Sequence, residues 1–309
     1  MADIEDADWK ARDANSYDAV ADDFNRLTDR VSVYAAQELA NALPADMKNV
    51  LDVGCGTGIV MLSIARRLSQ TTKITGLDLS PVMLATARRN AADQGLVDRF
   101  DFVVGDAEAL PLKDCSVDAV TSLYAWRHLP DPAKATEEVF RVLKPGGTFA
   151  IAVGSAPPLT SPAGIFSSVE RVIGKIAETR GRQLVACQQI EALVDRYLPR
   201  AEAIEEAAWT KAHHGFAGSL RSLVEGAGFE VAQSRWLGRT FSFDCADEFW
   251  DLQATFSSTA RKRIADASPE SVNIMRAAFM DQCNAVVGRG GKLIYRVGAA
   301  LVVAVKPGG

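Results

Sequence analysis

The sequence predicts an α/β fold, a mostly parallel doubly wound sheet with helices on both faces. Three observations lead there. Short apolar runs alternate with amphipathic segments from residue 49 to residue 154. A glycine-rich turn, LDVGCGTG (51–58), joins the first apolar run to the segment after it. The same run-then-helix order then recurs along the chain, as a parallel sheet with crossover helices requires.

Before that alternation, residues 16–43 read as helical, with Tyr17, Val20, Phe24 and Leu27 at helical spacing. NVLDV (49–53) reads as a buried strand, and the following helix sets Met61, Ile64, Ala65 and Leu68 on one side. KITGLD (73–78) is the second strand. Ser80 and Pro81 then supply an N-cap and a first-turn proline for a helix reaching about Asp93. FDFVV (100–104), VDAVTSL (117–123) and TFAIAV (148–153) are the next strands, and Asp131-Pro132 opens a helix that stops at LKPGG (143–147).

After Gly154 the rhythm breaks. SAPPLTSP (155–162) is turn-rich, Ile165, Val169, Val172, Ile173 and Ile176 mark an amphipathic helix, and a second helix covers Leu184 to Tyr197. SLRSLVEGAGFEV (219–231) predicts a helix, a glycine stop and a strand running on toward Phe243. Residues 246–286 read as helical, with Phe249, Trp250, Phe256 and Phe279, and AALVVAV (299–305) is a final strand. The expectation is one domain. Residues 1–47 form a helical cap, 48–154 a core, 155–218 a helical lid insertion, and 219–309 a C-terminal core with a helical insertion at 246–286.

Composition narrows the function. The 309 residues are 48% hydrophobic and 24% charged, as in an ordinary globular protein, and the net charge of −5 argues against a broad nucleic-acid or anionic-membrane surface. Cys55, Cys115, Cys187, Cys245 and Cys283 form no CxxC pair and only three histidines accompany them, so neither a zinc site nor a disulfide framework is expected. The acidic start MADIEDADWK is unlike a signal peptide, and no apolar run approaches the roughly 20 residues a membrane span needs. A reduced, cytoplasmic setting is expected.

In an open α/β sheet, ligands bind beyond the carboxyl ends of the strands. Gly54, Gly56 and Gly58 lie there, where any side chain would keep the backbone away from a ligand or force a strained turn. Their spacing is G-x-G-x-G, which departs from the dinucleotide pattern G-x-G-x-x-G. Asp78 ends the second strand and can accept both hydroxyls of a ribose; a capping aspartate is the plainer alternative. Asp106 follows the third strand, where its carboxylate can accept from an exocyclic amine while the Ala107 amide donates to a ring nitrogen. The sequence has no phosphate-binding GxxxxGK[ST]. The implied ligand is an adenosine with a zwitterionic, phosphate-free tail, S-adenosylmethionine.

With these stretches the chain resembles the class I S-adenosylmethionine-dependent methyltransferases, in the branch of the ubiquinone/menaquinone-biosynthesis and natural-product enzymes. LDVGCGTG, ITGLDLS, VVGDAEALPL, YAWRHLPD and RVLKPGG carry the resemblance over about residues 48–154. It implies a Rossmann-like, seven-stranded sheet whose last strand is antiparallel. By position it implies that Gly54, Cys55, Gly56 and Gly58 line the methionine tail and that Asp78 holds the ribose. Leu79 and Met83 would pack on the adenosine, Asp106 and Ala107 would read adenine, and Leu123 would touch the tail. Tyr17 matches an aromatic that closes over the cofactor. Asp52 has a buried structural role or a ligand contact.

The sulfonium activates the methyl group itself, so the protein's main task is alignment, assisted by a general base where the acceptor is neutral. His128, just past the fourth strand, is the first candidate, and packing against the cofactor is its alternative role. His213 and His214 are reserve candidates. Tyr124 and Trp126 either wall the acceptor pocket or pack in place, and Arg127 reads as a surface residue, with steering of an anion as its alternative role. The lid aromatics, with Trp209, Trp236, Phe241 and Phe243, suggest an apolar or aromatic small-molecule acceptor. SLYAWRHLP stands where a base-methylating enzyme would carry Asn/Asp-Pro-Pro-aromatic, which argues against a nucleic-acid acceptor. A non-methylating rearrangement on the same fold and a cofactor-binding regulatory protein are the alternative functions.

Overall fold

The computed structural model describes residues 2–157, 164–165, 173–174, 177–186, 188–198 and 216–308. Three helices precede the first strand: α1 (Ala2–Asp18), α2 (Ala21–Val31) and α3 (Val33–Ala42). The alternating core follows as β1 (Asn49–Val53), α4 (Ile59–Arg67), β2 (Lys73–Asp78), α5 (Pro81–Asp93), β3 (Phe100–Val104), β4 (Val117–Leu123), α6 (Pro132–Val142) and β5 (Leu143–Gly154). Next come β6 (Gln183–Val185), α7 (Gln188–Tyr197), α8 (Phe216–Gly226) and β7 (Glu230–Phe243). Helices α9 (Ala246–Phe256), α10 (Ser258–Asp266) and α11 (Pro269–Val287) lead to β8 (Lys292–Val305).

The strands form an eight-stranded sheet ordered β3-β2-β1-β4-β5-β8-β6, with β7 paired to β8. Pairs from β3 through β5 are parallel, and β8 runs antiparallel to β5, Thr148 facing Val305 and Gly154 facing Ala299. The α/β class and the antiparallel last strand are as expected. The eighth strand is β6, in a stretch expected to begin a helix. Leu184 and Val185 pair with Leu293 and Ile294 instead, so that the helix starts only at Gln188.

Chain contacts divide the protein into two compact units. The first holds Met1–Ala156, Lys211–Leu237 and Ala299–Gly309; the second holds Pro157–Thr210 and Gly238–Gly298. In the first unit the sheet is buried on both faces, which explains its near-continuous apolar strands. Val50, Ile74, Ala119, Ala150, Leu301 and Val303 pack on one face with Leu39 of α3 and Ile64 of α4. Their strand neighbours Leu51, Leu77, Val120, Phe149, Ile151 and Val302 pack on the other with Val139 of α6 and Val224 of α8. This is the two-residue period of a strand.

In the second unit the aromatic residues build a core. Phe249 stacks at 5.7 Å from Phe243 and 6.1 Å from Phe279, and Trp250 meets Phe279 edge-on at 5.1 Å. Phe243, Phe249 and Phe279 are fully buried. They are therefore packing residues of that unit, and their apolar character says nothing by itself about an acceptor. No helix among the described residues is long and apolar enough to cross a membrane. The expected helix over residues 165–176 falls mostly outside the described residues.

Candidate active site

Strand order reverses at β1, which has β2 on one side and β4 on the other, and in open α/β sheets the crevice that takes a ligand lies beyond the carboxyl ends of the strands at such a point. The turn after β1 has Gly54, Gly56 and Gly58 at φ of 67°, 52° and 87°, the left-handed region that L side chains rarely adopt. A Cβ at Gly54 would lie 2.3 Å from the Ala125 Cβ, in the short 3-10 turn after β4, so this glycine also sets how closely the two strand ends approach. The amides of Gly54 and Cys55 donate to the Leu77 carbonyl of β2 at 2.7 and 3.1 Å.

Asp78 faces this turn. Its Oδ2 accepts from the Gly56 amide at 2.8 Å and its Oδ1 from the Ser80 amide at 3.0 Å. Ser80 caps α5 through its hydroxyl, which accepts from the Met83 amide. Asp78 thus orders the glycine turn, and a carboxylate's two oxygens retain lone pairs for further donors. Burial raises its pKa, and the negative charges of Asp13 and Asp18 raise it further.

Asp52, in β1, is 1% exposed and accepts from the Thr121 hydroxyl at 2.7 Å, while its Oδ2 has no hydrogen-bond partner. Burial pushes its pKa up to about 7, with Asp78 adding to the shift. Cys55 lies buried beside it, and burial pushes its thiol pKa well up, so it is held as a thiol. Asp13, Asp18, Asp52 and Asp78 together make the crevice electronegative. That field, with a turn that only glycine fills, suits a ligand carrying an ammonium and a sulfonium.

The third strand end is engaged by the N-terminal helix. Lys10 of α1 donates to Asp106 Oδ2 at 2.8 Å and to Glu108 Oε2 at 2.7 Å, and Asp106 Oδ1 accepts from the Glu108 amide. Glu108 Oε1 in turn accepts from the Asp131 amide at 2.9 Å, which ties this loop to the start of α6. Ala107 is buried. Asp106, expected to read an exocyclic amine, is bonded to Lys10 here.

His128 sits at the end of the 3-10 turn Ala125–His128. Its Nδ1 lies 3.1 Å from Asp13 Oδ2, its Nε2 lies 3.2 Å from the Tyr17 hydroxyl, and its carbonyl accepts from Trp9 Nε1 at 3.3 Å. Trp9, Asp13 and Tyr17 are four residues apart, one face of a helix. That spacing was readable in the sequence, yet α1 is so polar that helix was expected only from residue 16. Lys10 and Asp13 lie in no motif, and Glu108, inside VVGDAEALPL, carries no expected role of its own.

The remaining residues separate into two groups. Met83 is buried under the start of α5, Leu79 is 36% exposed beside it, and Leu123 ends β4 half-buried. Tyr124 follows Leu123 at φ 64°, a strained conformation for a bulky side chain of the kind that gathers at functional sites. Burial pushes its hydroxyl pKa up to about 12.

Of the two places expected for Trp126, on a pocket wall or packed in the core, its ring takes the packed one. It is 1% exposed, donates from Nε1 to the Thr136 hydroxyl at 3.1 Å and stacks on Phe149. Its ring belongs to the core below the sheet because the 3-10 turn points it inward. Arg127 is exposed and donates to the Gly154 carbonyl. Trp236 donates to the Ser155 carbonyl. His213, His214 and Trp209 lie outside the described residues.

Known proteins resemble this chain in sequence and in fold. Residues 51–151 match the family model described as a methyltransferase domain. The chain is 30% identical over 206 residues to a demethylmenaquinone methyltransferase of Lactiplantibacillus plantarum, covering 64% of this chain and 87% of that one. It also matches a ubiquinone/menaquinone biosynthesis C-methyltransferase of Bartonella tribocorum at 34% identity, spanning 54% of that relative's length.

Two solved structures share the fold. One is a (4+2)-cyclase, with TM-score 0.55 and 21% identity over 96% of each chain. The other is a methyltransferase-like protein of Bacillus halodurans, with TM-score 0.51 and 22% identity over 89% of this chain and 98% of that one. The chain belongs to the class I S-adenosylmethionine-dependent methyltransferases, in the branch of the ubiquinone/menaquinone-biosynthesis enzymes.

Proposed function

We propose that this cytoplasmic enzyme methylates a hydroxyl-bearing aromatic small molecule, at carbon or oxygen, and that a reduced quinone represents the acceptor class. The observation that carries the acceptor is the likeness to the Lactiplantibacillus demethylmenaquinone methyltransferase along 87% of that protein. The site residues support the donor. Gly54, Gly56 and Gly58 admit a methionine tail against backbone, Asp78 receives ribose hydroxyls, and Asp106 with Ala107 receives the adenine edge. Leu79, Met83 and Leu123 supply the apolar contacts, and Tyr17 and Tyr124 border the methyl position.

S-adenosylmethionine bound there supplies a methyl carbon already activated by an adjacent positive sulfur. The chain's residues then have two tasks. The crevice walls hold the acceptor in line, an effect worth roughly 7–11 kcal/mol in the best intramolecular models. His128 takes the acceptor's hydroxyl proton, which raises electron density on the oxygen and on the ring carbons conjugated with it. A positioned base of this kind contributes about 10²–10⁴-fold.

The direct test uses the purified chain, S-adenosylmethionine and a chemically reduced demethylmenaquinone with a short side chain. Mass spectrometry should find the methylated quinol and S-adenosylhomocysteine in equal amounts. Cofactor binding without either product would reject the quinol, and turnover of a simple catechol or phenol in its place would move the acceptor to that class.

A further inference from the structure

We infer that Asp13 is a positioning residue for the reaction. It holds the His128 imidazole as the tautomer whose Nε2 is free to take a proton, so that the base is assembled only when α1 lies across the crevice. The inference rests on the reading of His128 as the base for a hydroxyl acceptor.

The geometry is specific. Asp13 is 7% exposed, and its Oδ2 lies 3.1 Å from His128 Nδ1. A carboxylate only accepts, so the Nδ1 of a neutral ring must carry the hydrogen and donate it. Nε2 is then a bare acceptor, and the Tyr17 hydroxyl donates to it at 3.2 Å. The rings of Tyr17 and His128 meet edge-on at 5.5 Å. The Tyr17 O–H offers Nε2 the same kind of hydrogen bond that an acceptor hydroxyl would offer it.

The groups facing His128 come mainly from α1. Asp13 and Tyr17 touch its ring and Trp9 its carbonyl, while Lys10 on the same helix is bonded to Asp106 and Glu108. Arg127, its chain neighbour, donates to Gly154. Asp13 is the carboxylate in bonding contact with the ring among these groups, and it also orients the ring by pinning one of its two nitrogens.

In the step itself, the acceptor O–H bond breaks and its proton moves to Nε2. The electron pair left on oxygen, directly or through the ring, forms the new bond to the methyl carbon. The carbon–sulfur pair departs with sulfur. The imidazolium, stabilised by Asp13, returns its proton to solvent. A carbon acceptor afterwards loses its ring proton to restore aromaticity while its oxygen takes a proton back, so one proton in all is released. No oxidant or reductant enters.

The test compares Asp13→Asn with wild type and with Tyr17→Phe, all full-length. Long-range proton–nitrogen NMR reads the His128 tautomer in the free protein at alkaline pH, with the signal assigned through His128→Gln. Wild type and Tyr17→Phe should show Nδ1–H and bare Nε2. Asp13→Asn is nearly isosteric, but its amide can donate to Nδ1 and so favour Nε2–H, the wrong tautomer for a base.

With the reduced demethylmenaquinone probe, Asp13→Asn should lose about 10–10³-fold in kcat, with KM and cofactor affinity within about twofold of wild type. Thermal melting verifies that the variant is folded. A wild-type ring carrying its hydrogen on Nε2 would overturn the inference. So would an unchanged tautomer in Asp13→Asn, or a changed tautomer with full kcat. If the probe is not methylated by wild type, the acceptor reading fails while the tautomer measurement still decides Asp13's hold on the ring.

Discussion

The strand ends of the sheet and the helix bonded to them are held in place by different means. The glycine turn, Asp52 and Asp78 are built into β1 and β2, between Leu51 and Leu77 of the core. Helix α1 is held to the same crevice by polar contacts: Lys10 to Asp106 and Glu108, Asp13 and Tyr17 to His128, and Asp18 to the Ser80 hydroxyl. A site made of strand ends cannot be withdrawn without unfolding the sheet. A site made of polar contacts from a terminal helix can be, because each contact has water as an alternative partner. On the proposed reading, cofactor recognition by the strand ends is permanent in this fold, while the proposed base and the α1 contacts around it are conditional.

The largest expected effect belongs to the permanent part. Asp78→Ala removes the proposed ribose acceptor and also leaves the Gly56 and Ser80 amides without their partner. Cofactor affinity should fall by about 10- to 150-fold, the 1.5–3 kcal/mol typical of a hydrogen bond to a charged group. Calorimetry with S-adenosylhomocysteine measures it. An unchanged affinity in a folded variant would reduce Asp78 to a structural cap and put recognition elsewhere.

A second effect concerns stability rather than binding. Asp52 has a pKa raised from 3.8 to about 7, chiefly by burial. The folded state therefore holds its proton more tightly than the unfolded chain. The sign follows: this stabilisation is complete below about pH 4 and is lost as pH rises to about 7. Asp52→Asn keeps an acceptor for Thr121 and removes the buried charge. It should be more stable than wild type by about 1 kcal/mol at pH 8, after the cost of an unpartnered buried amide, and no more stable at pH 4. Urea melts at the two pH values measure this; a variant less stable than wild type at pH 8 would show that the ionised Asp52 has a partner when folded.

The smallest effect tests the conditional part. Lys10→Met releases Asp106 from its ion pair while keeping the apolar stem of the side chain. If Lys10 competes with the adenine amine, cofactor affinity should rise about three- to tenfold, the scale of a partly exposed pair near 1 kcal/mol. The same ionic contact in wild type should be weakened by salt, so the advantage of the variant should shrink as ionic strength rises. A fall in affinity would mean that Lys10 holds α1 in its binding position, and the cover would then belong with the permanent site.

What was legible in the sequence follows this division. A turn of three glycines needs positive φ, and an acidic residue at the end of a strand has one direction to face. The places of Gly54, Gly56, Gly58, Asp78 and Asp106 at neighbouring strand ends could therefore be read from spacing alone. β1 through β5 could be read for the same local reason: a strand buried on both faces needs an unbroken apolar run. The β6 pairing could not, since three residues that suit a helix as well as a strand are decided by the neighbour they meet.

Trp126 and the aromatics of the second unit show the other limit. A ring that lines a pocket and a ring that fills a core have the same composition and spacing, and only packing separates them. Trp126 turns inward onto Phe149, and Phe249 and Phe279 fill their own unit. Likewise α1 carries too little apolar surface to announce itself, and its functional face exists only against His128, more than a hundred residues away. By itself the sequence determined the α/β class, the glycine turn and the carboxylates at the strand ends, because each follows from backbone sterics and burial within one βα unit. Which carboxylate meets His128, which hydroxyl meets its other nitrogen and which lysine stands on Asp106 were decided by tertiary structure alone, because those contacts join segments whose pairing no local rule encodes.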